Sequence, residues 1–185
     1  DLHSFPTRRS SDLFVIVNAL AGKPLPVYGK GDQIRDWLYV GDHCDAIYRI
    51  ADQGTPGETY CIGGDNQPTN LSIVESICSI LDRKRPRANG ASYADLITFV
   101  QDRPGHDFRY DIDSGKIRRT LGWTQKHCLE EGLAATVDWY ISNSAWLSGI
   151  LSGKAYSDWV ERNYSGRGNA GETGAGETET EGPQR

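Results

Sequence analysis

The stretch GKPLPVYGKGDQIRDWLYVGDH, residues 22–43, carries the signals that decide the fold. It begins where the apolar run 14–21 stops at a glycine followed by two prolines, which predicts a helix end leading into an extended segment. The aromatic and β-branched run 37–40 predicts a strand. Asp42 follows at the position of a helix cap, and apolar residues then recur at helical spacing up to Ala51. A strand that feeds a helix indicates an α/β fold.

The same alternation continues downstream. Residues 59–62 and 97–100 are short runs of strand-forming residues and predict two more strands. Asn70 can cap a helix between them, and the spacing of apolar residues predicts helices within 113–122 and from about 129 to 147, the last being the longest. No repeat of fixed period is present, which excludes solenoids and propellers. The sequence therefore predicts one small, mixed α/β domain of the substrate-binding type.

Both ends of the chain differ from this part, so we expect the globular domain at 14–165. Residues 1–13 lack periodicity and resemble a translated sequencing adapter, which would make them foreign; a disordered basic N-terminus is the alternative. Residues 166–185 are rich in Gly, Glu and Thr and are expected to be disordered. Within them, GRGNAG at 166–171 has the spacing of a dinucleotide fingerprint, but neither the strand nor the helix that this fingerprint needs accompanies it.

The composition limits the classes of function. The 185 residues carry a formal net charge of −5, so the overall field repels nucleic acid and anionic membranes. The longest apolar runs are far too short to span a bilayer. We expect a soluble, cytoplasmic protein that holds any anionic ligand with local arginines. The four cysteines form no C-x-x-C pair or metal-ligand spacing, which predicts reduced, mostly structural thiols and no metal site: Cys44, Cys61, Cys78 and Cys128.

Two cationic segments are candidates for an anion site. Arg35 precedes the predicted strand 37–40, and its planar fork of donors suits phosphate oxygens; a surface ion pair with a neighbouring aspartate is the alternative. The second segment, DRPGH at 102–106, follows the predicted strand 97–100. Its Pro-Gly turn can direct Arg103 and His106 toward one point at the strand end, although the segment could also be an ordinary turn.

Two further side chains could recognise a base. Tyr28 offers a flat face for stacking, with core packing as the alternative. Asn70 could bind a base edge, or it could serve only as the helix cap. The sequence contains no Tyr-x-x-x-Lys and no dinucleotide fingerprint in a strand–turn–helix context, so no catalytic or cofactor-binding residue is predicted. From its residues alone, the chain is predicted to be a binding module.

Five segments together resemble bacterial dTDP-glucose 4,6-dehydratases, which belong to the extended branch of the short-chain dehydrogenase/reductase superfamily. The resemblance runs in order from residue 14 to about 165. It is carried by the opening stretch, GETYCIGG (57–64), DRPGHDFRY (102–110), LGW (121–123) and SGKAYSDWVERNY (152–164).

The resemblance implies a division of labour within a longer parent protein. NAD and the catalytic residues would lie in an N-terminal Rossmann half, of which this chain keeps only a remnant, and this fragment alone would be inactive. The parent, a homodimer in that family, would oxidise dTDP-glucose at C4, eliminate water across C5 and C6 and return hydride to C6. A UDP- or GDP-sugar dehydratase or epimerase, or a non-catalytic nucleotide-sugar-binding module, remains an alternative.

The resemblance also assigns the substrate-binding residues, which are the nucleotide-diphosphate contacts of the family. They are Pro26, Val27, Tyr28, Arg35, Asn70, Asp102, Arg103, Pro104, Gly105 and His106.

Overall fold

The computed structural model describes residues 11–102 and 104–153, which form helices around a short parallel sheet. The helices are α1 (Ser11–Leu20), α2 (Val40–Gln53), α3 (Asn70–Lys84), α4 (Gly115–Leu121), α5 (Leu129–Ser142) and α6 (Ser144–Leu151), and Tyr93–Leu96 is a 3-10 turn. The strands β1 (Leu25–Tyr28) and β2 (Ile97–Val100) pair in parallel, with Leu25 opposite Ile97 and Tyr28 opposite Val100. The prediction of a mixed α/β fold is confirmed.

The main core lies where α1, β1, α3 and α5 meet. Ile16, Leu25, Ile77 and Val137 are buried there, one from each element. The apolar residues of α3 that the sequence predicts to face inward are all buried: Ile73, Val74, Ile77, Cys78 and Leu81. A second, smaller cluster joins α2 to α4 through Ala46, Ile117 and Trp123.

Two of the predicted strands do not form. Residues 37–39 are an extended loop, α2 already begins at Val40, and residues 59–62 are irregular. A strand needs a neighbour for its backbone N–H and C=O groups. Within the described residues, the only pairings besides that of β1 with β2 are isolated bridges of Ile34 with Thr69 and with Arg109. Strand-forming composition at 37–40 and 59–62 was therefore not sufficient to make these segments strands.

Two predicted helix caps are also wrong, by three positions for α2 and by one position for α3. Tyr39, and not Asp42, is the N-cap of α2, and Asp42 is buried in the first turn. Thr69 caps α3 because its hydroxyl oxygen accepts the Ser72 N–H at 3.2 Å, so Asn70 is the first helical residue. A cap can move by one position whenever an adjacent residue offers the same acceptor.

The helix predicted from about 129 to 147 is divided. α5 ends at Ser142, Asn143 leaves helical geometry with φ −110° and ψ 38°, and α6 follows at once. At 14 residues, α5 is also one residue shorter than α3. At the other end of the domain, α1 starts at Ser11, three residues before the predicted boundary at Phe14.

The cysteines are all free, but only Cys78 is buried. Cys44, Cys61 and Cys128 are exposed, so the expected structural role in the core holds only for Cys78, and Cys128 is instead the N-cap of α5.

Large apolar side chains are exposed on helices α2, α5 and α6. Val40 and Tyr48 of α2 are 65% and 73% exposed, and Trp139 of α5 and Trp146 of α6 are about half exposed. A cavity of about 390 Å³ lies between the loop before α2 and helices α5 and α6, and Trp139 and Trp146 line it. We call these exposed residues and this cavity the apolar face. Among the described helices, none is long and apolar enough to cross a membrane.

Candidate functional site

The predicted site residues lie around one edge of the sheet, where both strands end. β1 and β2 are parallel, so the loops after Tyr28 and after Val100 leave from the same edge. The N–H of Gly29 donates to the carbonyl of Val100 at 2.9 Å and holds the two loops together at their start. In open α/β sheets this carboxyl edge is where ligands bind.

Asp102 and His106 form a hydrogen-bonded pair at this edge. Asp102 Oδ1 lies 2.6 Å from His106 Nδ1, and the His106 side chain is only 7% exposed. The Tyr28 ring meets the His106 ring edge-on with 6.1 Å between centroids. Gly29 permits this arrangement because a Cβ there would lie 3.2 Å from Asp102 Oδ2, and its φ of +56° is one that glycine adopts readily. Tyr28, Asp102 and His106 are thus in one cluster.

Arg35 lies beside this cluster, and its guanidinium contacts the loop that follows His106 in the chain. Its Nη1 donates to the carbonyl of Ile34 at 2.6 Å and its Nη2 to that of Asp107 at 2.8 Å. The guanidinium carbon also lies 4.3 Å from the centre of the Tyr110 ring. Within the described residues no carboxylate is at ion-pair distance from it, so the surface pair with a neighbouring aspartate does not form. Arg35 keeps its positive charge available to an anion.

Asn70, Pro26 and Tyr28 line a small cavity of about 70 Å³ next to the same edge. The backbone N–H of Asn70 donates to the carbonyl of Gln33 at 2.9 Å, which leaves the side-chain amide for other contacts. Val27 also borders this cavity, but its side chain is buried in the core. Any contact of Val27 with a ligand would be through its backbone.

The turn at 102–106 is described except for its arginine. Pro104 and Gly105 are exposed, and Gly105 has a φ of +66° that suits a turn. Arg103 lies outside the described residues, so its pairing with Arg35 stays a prediction. The fingerprint-like stretch 166–171 and nearly all of SGKAYSDWVERNY, from residue 154 onward, also lie outside them.

The sequence did not single out Gln33 or Tyr110, and both contact predicted site residues. Gln33 Nε2 donates to Asp102 Oδ2 at 2.8 Å, and the Tyr110 ring supports the Arg35 guanidinium. The one available signal was that Gln33 and Arg35 are two positions apart, since such residues share a side in extended chain. Tyr110 carried no signal, because its contact depends on how the loop after β2 folds back.

Asp36, next to Arg35 in sequence, is turned away from it. Its Oδ1 accepts the Gly64 N–H at 2.7 Å, and burial raises the pKa of this carboxyl. Asp36 therefore anchors the loop at 63–64 and does not neutralise Arg35. In the described residues no group of three possible metal ligands is present.

One protein-family model matches most of this chain. The family model described as GDP-mannose 4,6 dehydratase matches residues 3–136. The chain belongs to this family. The match reaches into the segment 1–13 that was expected to be foreign.

A curated member, the dTDP-glucose 4,6-dehydratase of Salmonella typhimurium, is 55% identical over 153 residues, which are 83% of this chain and 42% of that protein. The corresponding protein of Neisseria meningitidis is 54% identical over 141 residues, 75% of this chain and 40% of that one.

Solved structures of family members are also similar to this chain. The dTDP-glucose 4,6-dehydratase of Bacillus anthracis, in complex with NAD, has a TM-score of 0.64 and 40% identity over 74% of this chain and 40% of its own. The enzyme of Streptomyces venezuelae, also with NAD bound, gives 0.63 and 38% over 72% of this chain and 38% of its own. The resemblance seen in the sequence is confirmed, and the chain spans about two-fifths of the relatives it matches.

The described residues do not form a dinucleotide site of the family type. Such a site needs a strand, a glycine-rich turn and a helix that begins directly after it. β1 is followed by a glycine-containing loop, but the next helix begins only at Val40; after β2 the next helix begins at Gly115.

Proposed function

We propose that the parent of this chain converts dTDP-glucose to dTDP-4-keto-6-deoxyglucose and that this chain supplies the nucleotide-sugar-binding site. The observation that carries the proposal is the cluster of Tyr28, Asp102 and His106 at the carboxyl edge of the sheet, with the Arg35 guanidinium bound to the adjoining Asp107 carbonyl. NAD, held by another part of the parent, would accept hydride from the sugar and return it. The parent would act in the cytoplasm, as the composition indicates, and would be a homodimer, as the resemblance implies.

The residues of this chain would bind and orient the substrate. Arg35 can give two parallel hydrogen bonds to phosphate oxygens, and Arg103 would add a second guanidinium from the loop after β2. Tyr28 offers an aromatic face for the base, and the side-chain amide of Asn70 can bind polar groups near it. Holding the diphosphate at this edge fixes where the sugar lies, because the sugar is covalently joined to it.

Calorimetric titration of this chain with dTDP, UDP and GDP tests the proposal. We expect saturable binding of dTDP, weaker binding of the other two, and no dehydratase turnover with dTDP-glucose and added NAD. Tighter binding of UDP or GDP would favour an enzyme for another nucleotide sugar. Absence of all binding would contradict the proposed site, and turnover by the isolated chain would contradict the division between binding and chemistry.

A further inference from the structure

Gln33 is a buried polar residue at the centre of the candidate site. It is only 4% exposed, although it lies in the polar loop between β1 and α2. Its side-chain Nε2 donates to Asp102 Oδ2 at 2.8 Å, and its backbone carbonyl accepts the Asn70 N–H at 2.9 Å. One residue therefore contacts both the loop after β2 and the start of α3.

The orientation of the Gln33 amide is determined by Asp102. Turning the amide over would place its oxygen against the carboxylate, and two acceptors repel each other. In the observed orientation, Gln33 Oε1 is buried and has no hydrogen-bond partner among the described residues. A buried, unpaired carbonyl oxygen destabilises a fold, so an apolar side chain of the same size would suit the fold at least as well.

The stability of the fold does not depend on the hydrogen bond that Gln33 donates to Asp102. The Asp102 side chain is 37% exposed, so water can solvate its carboxylate when the amide is removed. What changes without the amide is the direction of the carboxylate. Asp102 Oδ1 holds His106 Nδ1 at 2.6 Å, and this contact fixes which ring nitrogen carries the proton and leaves Nε2 for other partners.

We infer that Gln33 is a positioning residue for nucleotide-sugar binding, acting through Asp102 on His106; this rests on the proposed function. Gln33 fixes Oδ2 of the carboxylate, Asp102 then fixes Nδ1 of the imidazole, and Nε2 faces the ligand in one orientation. The bond between Gln33 and Asp102 raises ligand affinity and contributes little to the stability of the fold.

The test measures stability and affinity of the same variants. Gln33→Met keeps the size of the side chain and removes the amide. We expect a melting temperature equal to or above that of the wild type and a dTDP affinity about tenfold lower, the scale of one hydrogen bond to a charged group. Gln125→Met is the matched control: it removes a partly buried amide that bonds to Gly64 and Arg118, away from the site, so dTDP affinity should not change.

A double-mutant cycle with Asp102→Ala tests the route of the effect. If Gln33 acts through Asp102, Gln33→Met causes no further loss of affinity once Asp102 is alanine. The ¹⁵N signals of His106 give a second readout. The hydrogen bond between His106 Nδ1 and Asp102 should weaken in Gln33→Met and remain unchanged in Gln125→Met. Should Gln33→Met not fold, Gln33→Leu makes the same test, because it also removes the amide and adds no buried charge.

Each outcome separates the two hypotheses. Wild-type chain that does not bind dTDP contradicts the proposed function itself. Wild-type chain that binds, with Gln33→Met binding equally well or losing affinity only in proportion to its stability, contradicts the role of Gln33 and leaves the proposed function intact.

Discussion

At the scale of single residues, Arg35 is held by backbone carbonyls and a ring, and none of the carboxylates in the described part of the chain pairs with its charge. Two carbonyl oxygens and the Tyr110 ring position the guanidinium. A lysine cannot give the same fork of donors or stack as a plane. We expect Arg35→Lys to weaken dTDP binding by about 1–3 kcal/mol in calorimetry. Arg83→Lys, in a largely exposed pair with Glu130, should change nothing, and unchanged affinity of Arg35→Lys would remove this residue from the site.

Cysteine reactivity gives a second prediction at this scale. Burial in the core raises the pKa of the Cys78 thiol to about 12, whereas the other three cysteines are exposed. The thiolate is the reactive form. At pH 8, an alkylating reagent should therefore modify Cys44, Cys61 and Cys128 in the folded chain, and Cys78 only after denaturation. Mass spectrometry of peptides checks this, and rapid native modification of Cys78 would contradict the described core.

The sequence singles out the charged candidates for the site but not the residues that contact them. Arg35 and His106 stand out because each lies beside a predicted strand in a glycine-containing segment. Gln33 does not stand out, because its role comes from a contact with Asp102, 69 positions away. Contacts of this kind depend on the tertiary fold, and no local pattern encodes them.

At the scale of elements, Asp42 ties α2 to the segment that leads into α5. The buried carboxylate accepts the N–H groups of Lys126 and His127 at 3.1 and 3.0 Å and contacts His127 Nδ1 at 3.0 Å. Burial alone would raise the pKa of Asp42, but these hydrogen bonds outweigh it and the pKa is lowered. The ionised form is therefore the one that the fold stabilises.

We expect Asp42→Asn to lower the free energy of unfolding at pH 7 by about 1.5–3 kcal/mol. Because the folded-state pKa is below the ordinary value of 3.8, this difference is fully present above pH 3.8 and is lost as the pH falls through the folded-state pKa. Urea unfolding of both proteins between pH 7 and pH 3 measures it. Asp138→Asn, in an exposed pair with Lys84, is the control with a small effect, and a difference that grows at low pH would refute the account.

The elements themselves were predictable where side chains alone determine them. α3 and α4 follow from their apolar spacing, and Gly122, with φ +62°, ends α4 as a C-terminal glycine does. The strands predicted at 37–40 and 59–62 fail because a strand depends on a partner that composition does not reveal. The end of α5 at Ser142 has no comparable signal, since apolar residues continue beyond it.

At the scale of the whole molecule, the apolar face should cause association. The side chains of this face are large and exposed, namely Val40, Tyr48, Trp139 and Trp146, and exposed apolar patches mark sites of association. We expect concentration-dependent self-association in sedimentation velocity and binding of a hydrophobic dye to the folded chain. The double variant Tyr48→Lys and Trp146→Lys should reduce both with little change in melting temperature. Phe108→Lys, at a side chain that is 60% exposed and outside the apolar face, is the control, and a monomeric wild-type chain without dye binding would contradict the prediction.

The pairing of β1 with β2 also determines when the pocket can exist during synthesis. Leu25 lies opposite Ile97, 72 positions later, so a ribosome must translate well past the first strand before its neighbour emerges. Closing so long a loop costs entropy that only the later contacts return. A nascent chain arrested before the second strand carries Tyr28 and Arg35 but has no Asp102 or His106 to face them, and nucleotide capture by stalled chains should begin only once that strand has left the exit tunnel.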